Sequence, residues 1–262
     1  MRIRLLRNAT MRISYGGAAW LTDPYLAPRF SRPSFRGLSP NPLVDLPCSP
    51  EEAVAGVDAV IVSHLHSDHF DPLARGLLAK TVPLFCQPWD REEIEREGFV
   101  QAMPVEDSVP WREVRVTRVP GKHGSGKVLE EMGQSSGFVL QAAGEPTVYW
   151  VGDSVWCAEV RHAIARFQPQ VIVTHSSGAV WGERVLIVMD AAQTLEVFRA
   201  SPRSTVVAVH MEALDHGTVT RWELRARAEA AGIPPHQLRI PRDGEEITIL
   251  AGRSPPRGGP GH

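Results

Sequence analysis

Cysteine is scarce in this chain. Cys48, Cys86 and Cys157 are the only three in 262 residues, they lie far apart, and no Cys-x-x-Cys pair occurs. An odd number of scattered thiols implies neither a zinc ribbon nor a disulfide framework. Long apolar runs are missing too: nothing approaches the roughly 20 residues of a membrane-spanning helix, so no stable membrane insertion is expected. Neither sign of charge dominates, with 28 Lys and Arg against 30 Asp and Glu for a net charge of −2. Such a balance creates no field to gather nucleic acid or an anionic bilayer, so neither is an expected partner. The stretch from Met1 to Arg7 is basic but lacks the apolar segment of a secretory signal. Together with unpaired thiols, this makes the cytoplasm the expected location. No fixed-period repeat occurs.

What is present fits a globular domain: 43% apolar and 22% charged residues. We expect one domain over residues 1–250 and a disordered tail over 251–262, where Pro and Gly are dense. Short extended runs are expected at 2–6, 11–15 and 18–22, the last ended by Asp23-Pro24. Residues 28–50 are rich in Pro, Ser and Arg without periodicity, which predicts a long ordered loop of the kind that shapes a site mouth. Ser49-Pro50-Glu51-Glu52 reads as a helix start. Buried strands are expected at 58–63, 82–86, 114–119, 138–142, 147–151, 171–174, 205–209 and 247–250. Helices are expected at 71–80, 89–97, 159–167, 191–200 and 221–231. This alternation suggests two sheets face to face with helices outside.

The densest chemical signal is His64-Leu65-His66-Ser67-Asp68-His69. With this chain's composition, a His-x-His-x-Asp-His arises by chance in about one sequence in two thousand. Imidazole and carboxylate together suit a borderline divalent ion, zinc first, with manganese and iron also compatible. Four ligands in six residues require an irregular loop, and this one directly follows an apolar strand. They cannot all reach one ion, so some should serve a second. Three more candidates stand just past β-branched runs: His123, Asp153 and His210. Each is weak alone; their common placement at strand ends, where α/β sites gather, makes them a set.

These motifs, in order with Asp23, resemble those of the metallo-β-lactamase superfamily over residues of about 10–250. The text around Asp23 and from Asp58 to Asp71 is similar to the branch holding ascorbate-6-phosphate lactonase and N-acyl-phosphatidylethanolamine phospholipase D. The resemblance implies an αββα sandwich. It implies two metal ions, one on His64, His66 and His123, the other on Asp68, His69 and His210, with Asp153 bridging. His175 stands where lactonase relatives tend to have Asn-Ala-Gly-Gly, a departure from the pattern.

The chemistry so implied is hydrolysis of a small ester, lactone or amide by a metal-bridging hydroxide. Two divalent ions against two carboxylates leave positive charge to stabilise such a hydroxide and an oxyanion. Asp68 is the candidate proton shuttle, and His216 and His175 are further candidates for proton transfer. Asp23 is either a group orienting a ligating imidazole or a strand-ending turn. Trp156 and Trp181 are either pocket walls or core. A phosphodiesterase of the same fold is the alternative, with the basic residues of 28–50 meeting the phosphate. An alternative of another class is a metal-binding sensor or partner module without turnover. Gly121-Lys-His-Gly-Ser-Gly126 does not match a phosphate-binding loop, since the residue order differs and no helix is expected after it. The partner expected is a small-molecule substrate, and self-association is left open.

Overall fold

The computed structural model describes residues 1–250; the expected tail lies outside the described residues. With strands numbered along the chain, the first seven-stranded sheet runs β16 (Glu246–Thr248), β1 (Arg2–Arg7), β2 (Thr10–Tyr15), β3 (Ala18–Thr22), β4 (Ala59–Ile61), β5 (Leu84–Cys86), β6 (Ala102–Pro104). The second runs β15 (Leu238–Arg239), β14 (Thr205–Val209), β11 (Val171–His175), β10 (Val148–Trp150), β9 (Ser136–Ala142), β8 (Val114–Pro120), β7 (Ser108–Trp111). A two-stranded ribbon, β12 (Val180–Trp181) with β13 (Val185–Leu186), stands apart. Both sheets are mixed: β3, β4, β5 and β6 are mutually parallel, as are β10, β11, β14 and β15.

The period-two pattern of the strands sorts side chains into layers. Val171 and Val173 face the first sheet across a core that holds Ile3, Trp20, Phe85 and Trp150, while Ile172 points to the helical side. There it packs with residues of α5 (Ala158–Phe167), α6 (Ala191–Ala200) and α7 (Arg221–Ala230). On the far side of the first sheet, Val60 and Leu84 pack under α1 (Pro50–Val54), α2 (Pro72–Leu77) and α3 (Arg91–Arg96). This is the expected αββα sandwich. Each fully buried aliphatic or aromatic side chain here contributes about 1.5–3 kcal/mol. Among the described residues, no helix is long and apolar enough to cross a membrane.

Local signals account for the boundaries. Ser49 caps α1 by accepting from the Glu52 N–H, and Asp71 caps α2 through Ala74, both with Pro at the first turn. The structure adds to these expectations at one point and corrects them at another. Residues 102–111 carry two short strands, β6 and β7, whose half-exposed sequences lack a buried run. A helix does follow Gly126: α4 (Gly126–Met132), seven residues long, begins at the glycine itself. Of the two readings of Trp156 the core one holds: it packs beside the helical layer, with Arg161 over its ring.

The 28–50 loop is ordered, as expected, and tied at its base. The fully buried guanidinium of Arg7 donates to Tyr25 O and Ala27 O at 2.8 Å and to Val44 O at 3.1 Å. Arg32 and Asn41 exchange backbone hydrogen bonds across it.

Asp90, just before α3, is buried and its Oδ2 has no hydrogen-bond partner. Burial pushes its carboxyl up to about 7 from an ordinary 3.8. Because the folded value is the higher one, the stability this group contributes is complete below about pH 4 and is lost as pH rises through about 7. The loss is of order 2–4 kcal/mol. Asp90→Asn should therefore raise the melting temperature by several degrees at pH 8 and by little at pH 5, measured as paired Tm–pH profiles. Parallel profiles would refute this.

Candidate metal centre

The site lies at one end of the sandwich, at the carboxyl ends of parallel strands from both sheets. Asp23 follows β3, the His64–His69 turn follows β4, His123 follows β8, Asp153 follows β10, His175 ends β11, and His210 follows β14. A strand must turn sharply to aim its first free side chain inward, and the backbone records this. Asp23 and His210 have φ of 34° and 62°, values that are rare outside glycine and that cluster at functional sites. Before Asp153 the turn needs glycine outright: Gly152 has φ of 69°, and a Cβ there would sit 2.6 Å from Ser136 O.

All seven candidate ligands come together. Ligand atoms of His64, His66 and His123 lie within 4.8 Å of one another, as do those of Asp68, His69 and His210. Asp153 stands between the two groups: its Oδ2 is 3.2 Å from His69 Nε2 and 3.5 Å from His123 Nε2, and its Oδ1 is 3.7 Å from His210 Nε2. Apart from half-buried His66, all are buried.

The surroundings set which nitrogen of each ring stays bare. The Ser63 N–H and hydroxyl both donate to Asp23, at 2.7 Å, so the Ser63 oxygen accepts from His64 Nδ1–H at 2.9 Å. Asp23 also accepts from His69 Nδ1–H at 2.6 Å. His123 Nδ1–H donates to Ile187 O at 2.8 Å, and His210 Nδ1 shares a hydrogen bond with Ser177 Oγ at 3.2 Å, in which either atom can donate. His64, His69 and His123 thus keep a proton on Nδ1, which leaves Nε2 as the nitrogen that can turn a lone pair to a cation. Asp23 is thus an orienting group for His69 directly and for His64 through Ser63.

His175 plays a different part. Trp150 Nε1–H can only donate, and it does so to His175 Nε2 at 2.9 Å. The ring proton is then on Nδ1, 2.5 Å from Asp153 Oδ1. His175 sits behind Asp153 and does not line the cavity described below.

Charge makes the case for a cation. Burial opposes ionisation of Asp68 and Asp153, but His69 and the neighbouring imidazoles hold both carboxyls well below the usual range. Burial likewise opposes a charged His69, yet Asp153, Asp68 and Asp23 together push it well above its ordinary value. Burial pushes His123 down to about 4 and lowers His64 and His66 as well. The carboxylates of Asp23, Asp68 and Asp153 thus meet in one buried place, with no Lys or Arg paired to them among the described residues. The Nε2 atoms of His69 and His210 are buried without a hydrogen-bond partner. Buried acid with bare imidazole nitrogens is stable only around positive charge, so the donor set fits divalent metal.

The cluster floors a cavity of about 240 Å³, lined by His66, Asp68, His123, Asp153 and His216 with Phe35, Met132, Trp181 and Ile187. Trp181 is therefore a wall, and Cys157 a buried thiol 3.7 Å from Ser154 Oγ. Phe35, Ser63, Ser177, Trp150 and Asn8 escaped the sequence reading. Asn8 has φ of 56°, donates to Asp68 O at 3.0 Å and accepts from the His210 N–H at 2.9 Å, joining two ligand turns. An Asn in a two-residue turn between strands was the only available hint.

The profile of a beta-lactamase superfamily domain matches residues 20–211. The UPF0173 protein YddR of Bacillus subtilis (strain 168) is 34% identical over 255 residues, covering 95% of this chain and 100% of its own. Two crystal structures superpose over nearly the whole chain. The isothiocyanate hydrolase from Delia radicum gut bacteria gives a TM-score of 0.89 at 32% identity, covering 96% of this chain and 100% of that one. A possible metal-dependent hydrolase from Veillonella parvula gives 0.91 at 32%, covering 95% and 99%. Motif order, sheet topology and these full-length likenesses agree, and the chain belongs to the metallo-β-lactamase superfamily.

Proposed function

We propose that this protein is a binuclear metal-dependent hydrolase acting at the electrophilic carbon of a small, largely apolar substrate, with isothiocyanates foremost. One observation carries the reading: two three-residue donor groups flank Asp153 on the floor of a cavity with apolar walls. His64, His66 and His123 would hold one ion, Asp68, His69 and His210 the other, with Asp153 shared. Zinc suits the donors best. Ions so held supply Lewis acidity and lower the pKa of water to near neutrality.

The chain's own residues restrict what enters. The cavity has room for about eight waters at liquid density, which suits a compact substrate. Phe35, Met132, Trp181 and Ile187 offer it an apolar wall. No Lys or Arg is among the residues lining the cavity, which weighs against a phosphodiester. Arg29, in the basic loop, pairs instead with Asp45. Likeness to an isothiocyanate hydrolase at 32% identity supports the substrate class. The balanced reaction is R–N=C=S + H₂O → R–NH₂ + COS: a C–O bond forms, the C–N bond breaks, and nitrogen takes both protons of water. Esters, lactones and amides undergo the same addition at carbon. His216 lines the cavity, and its buried Nδ1 has no protein partner, so it is placed to carry a proton to the leaving nitrogen or oxygen. Asp68, at the cavity floor, is the second such group.

The test is a panel assay on metal-quantified protein with allyl and benzyl isothiocyanate, small esters, lactones, amides and a bis(nitrophenyl) phosphate. Amine and carbonyl sulfide should form from the isothiocyanates, should stop after chelation and should resume on adding zinc, manganese or iron. Metal-loaded protein that turns over no carbon electrophile overturns the proposal, and inertness to the whole panel favours a sensor.

A further inference from the structure

The tip of the 28–50 loop hangs on a single carboxylate. Asp215, 8% exposed, accepts the backbone N–H groups of Phe35 at 2.9 Å, Arg36 at 3.1 Å and Leu38 at 3.3 Å. It also accepts from Asn41 Nδ2 at 3.0 Å and from the Ser34 hydroxyl. Asn41 Oδ1 in turn accepts the Asp215 N–H at 2.9 Å. Charge-assisted bonds of this kind are about twice as strong as neutral ones, and here they converge on one short segment.

Asp215 is the chain neighbour of His216. One turn therefore sends a carboxylate outward to the loop and an imidazole inward to the cavity. The clamped tip returns Phe35, whose ring meets His216 edge-on with centroids 4.9 Å apart. Both rings line the cavity. Apart from turn bonds within the loop, from the Arg36 and Gly37 N–H groups to Ser34 Oγ and from Asn41 Nδ2 to Pro33 O, nothing polar among the described residues ties the tip to the body but Asp215. Arg36, Gly37 and Leu38 are exposed, and Phe35 is only half-buried against Tyr25, Ala213 and Leu214. Without the carboxylate, those exposed N–H groups would turn to water at little cost to the fold, and the ring would lose its fixed position.

We propose that the loop tip clamped by Asp215 is the specificity element of this site, holding Phe35 as a wall that selects substrates whose variable group is small, uncharged and apolar. The inference rests on the hydrolase reading for its substrate, but the wall acts on binding and is testable without turnover. Asp215 is a positioning residue, acting only through Phe35.

The experiment compares wild type with Asp215→Ala, Asp215→Asn, Phe35→Ala and the Asp215→Ala/Phe35→Ala double variant, all metal-loaded. Binding of propanol, benzyl alcohol and naphthylmethyl alcohol is read from Trp181 fluorescence, with Trp181→Phe as control. Turnover of isothiocyanates bearing the same three groups is measured alongside. Phe35→Ala should shift the preference about tenfold toward the largest group. Asp215→Ala should shift it the same way, Asp215→Asn by less, and the double variant no further than Phe35→Ala alone. Trypsin should cut after Arg36 faster in Asp215→Ala than in wild type. An unchanged size ranking in Asp215→Ala, or a double variant that sums the two single shifts, overturns the proposal. Size-selective binding without any turnover sinks the hydrolase reading and leaves this one standing.

Discussion

Asp153→Ala should abolish turnover, by about a thousandfold or more, and lower metal content at both positions, while His66→Ala should lose one ion and keep the other. The difference follows from placement. Asp153 contacts both groups, with Oδ2 3.2 Å from His69 Nε2 and 3.5 Å from His123 Nε2. His66 belongs to one group only, so its loss leaves Asp68, His69 and His210 complete. A thousandfold corresponds to about 4 kcal/mol of barrier, a reasonable share for the pair of cations proposed above. Metal analysis of dialysed proteins, with activity on the same samples, decides it. Equal metal loss in the two variants would mean that Asp153 is not shared. Full activity in either would remove it from the site altogether.

The candidate ligands were legible as a set from the sequence because each carries a local mark. The hexapeptide is improbable by composition, and His123, Asp153 and His210 each end a run of β-branched residues whose burial is itself readable. The sheets were legible for the same reason: Val171 to His175 can hardly be anything but a buried strand. What stayed hidden are partners set by distance through space. Nothing near Trp150 in the chain says that its indole fixes the proton of His175, 25 residues on. Nothing in the loop says that Ser34 to Leu38 will gather on Asp215, over 170 residues away. Strands β6 and β7 were missed because half-exposed strands carry no strong period, and α4 because it opens on a glycine. Asp23 fell between: an Asp before Pro reads equally well as a turn, and only the fold brings it to His69.

Asp23→Asn should cripple the site more than Asp23→Ala does, although asparagine is the closer match in shape. Asp23 accepts three hydrogen bonds, from the Ser63 N–H, the Ser63 hydroxyl and His69 Nδ1–H, at 2.7, 2.7 and 2.6 Å. An amide has one acceptor oxygen. The Ser63 N–H can only donate and claims that oxygen, so the amide –NH₂ must face Ser63 Oγ and His69 Nδ1. His69 can accept there only by moving its proton to Nε2, the nitrogen that faces Asp68 and Asp153 at 3.3 and 3.2 Å. Ser63, now receiving a hydrogen, turns its own toward His64 Nδ1, and that ring switches as well. One substitution thus covers a lone pair in each donor group. Metal affinity should fall at least about 100-fold, the upper end for an orienting partner. Alanine leaves the same donors unpaired in a buried place, which costs about 1–3 kcal/mol for each lost partner, but it does not force the protons across the rings. Stability and metal binding should therefore rank the variants in opposite orders. Asparagine should melt higher than alanine without metal and bind metal more weakly, as measured by thermal melts of apo protein and competitive chelator titration. If alanine is the worse variant in both measurements, the proton positions assigned to His64 and His69 are wrong.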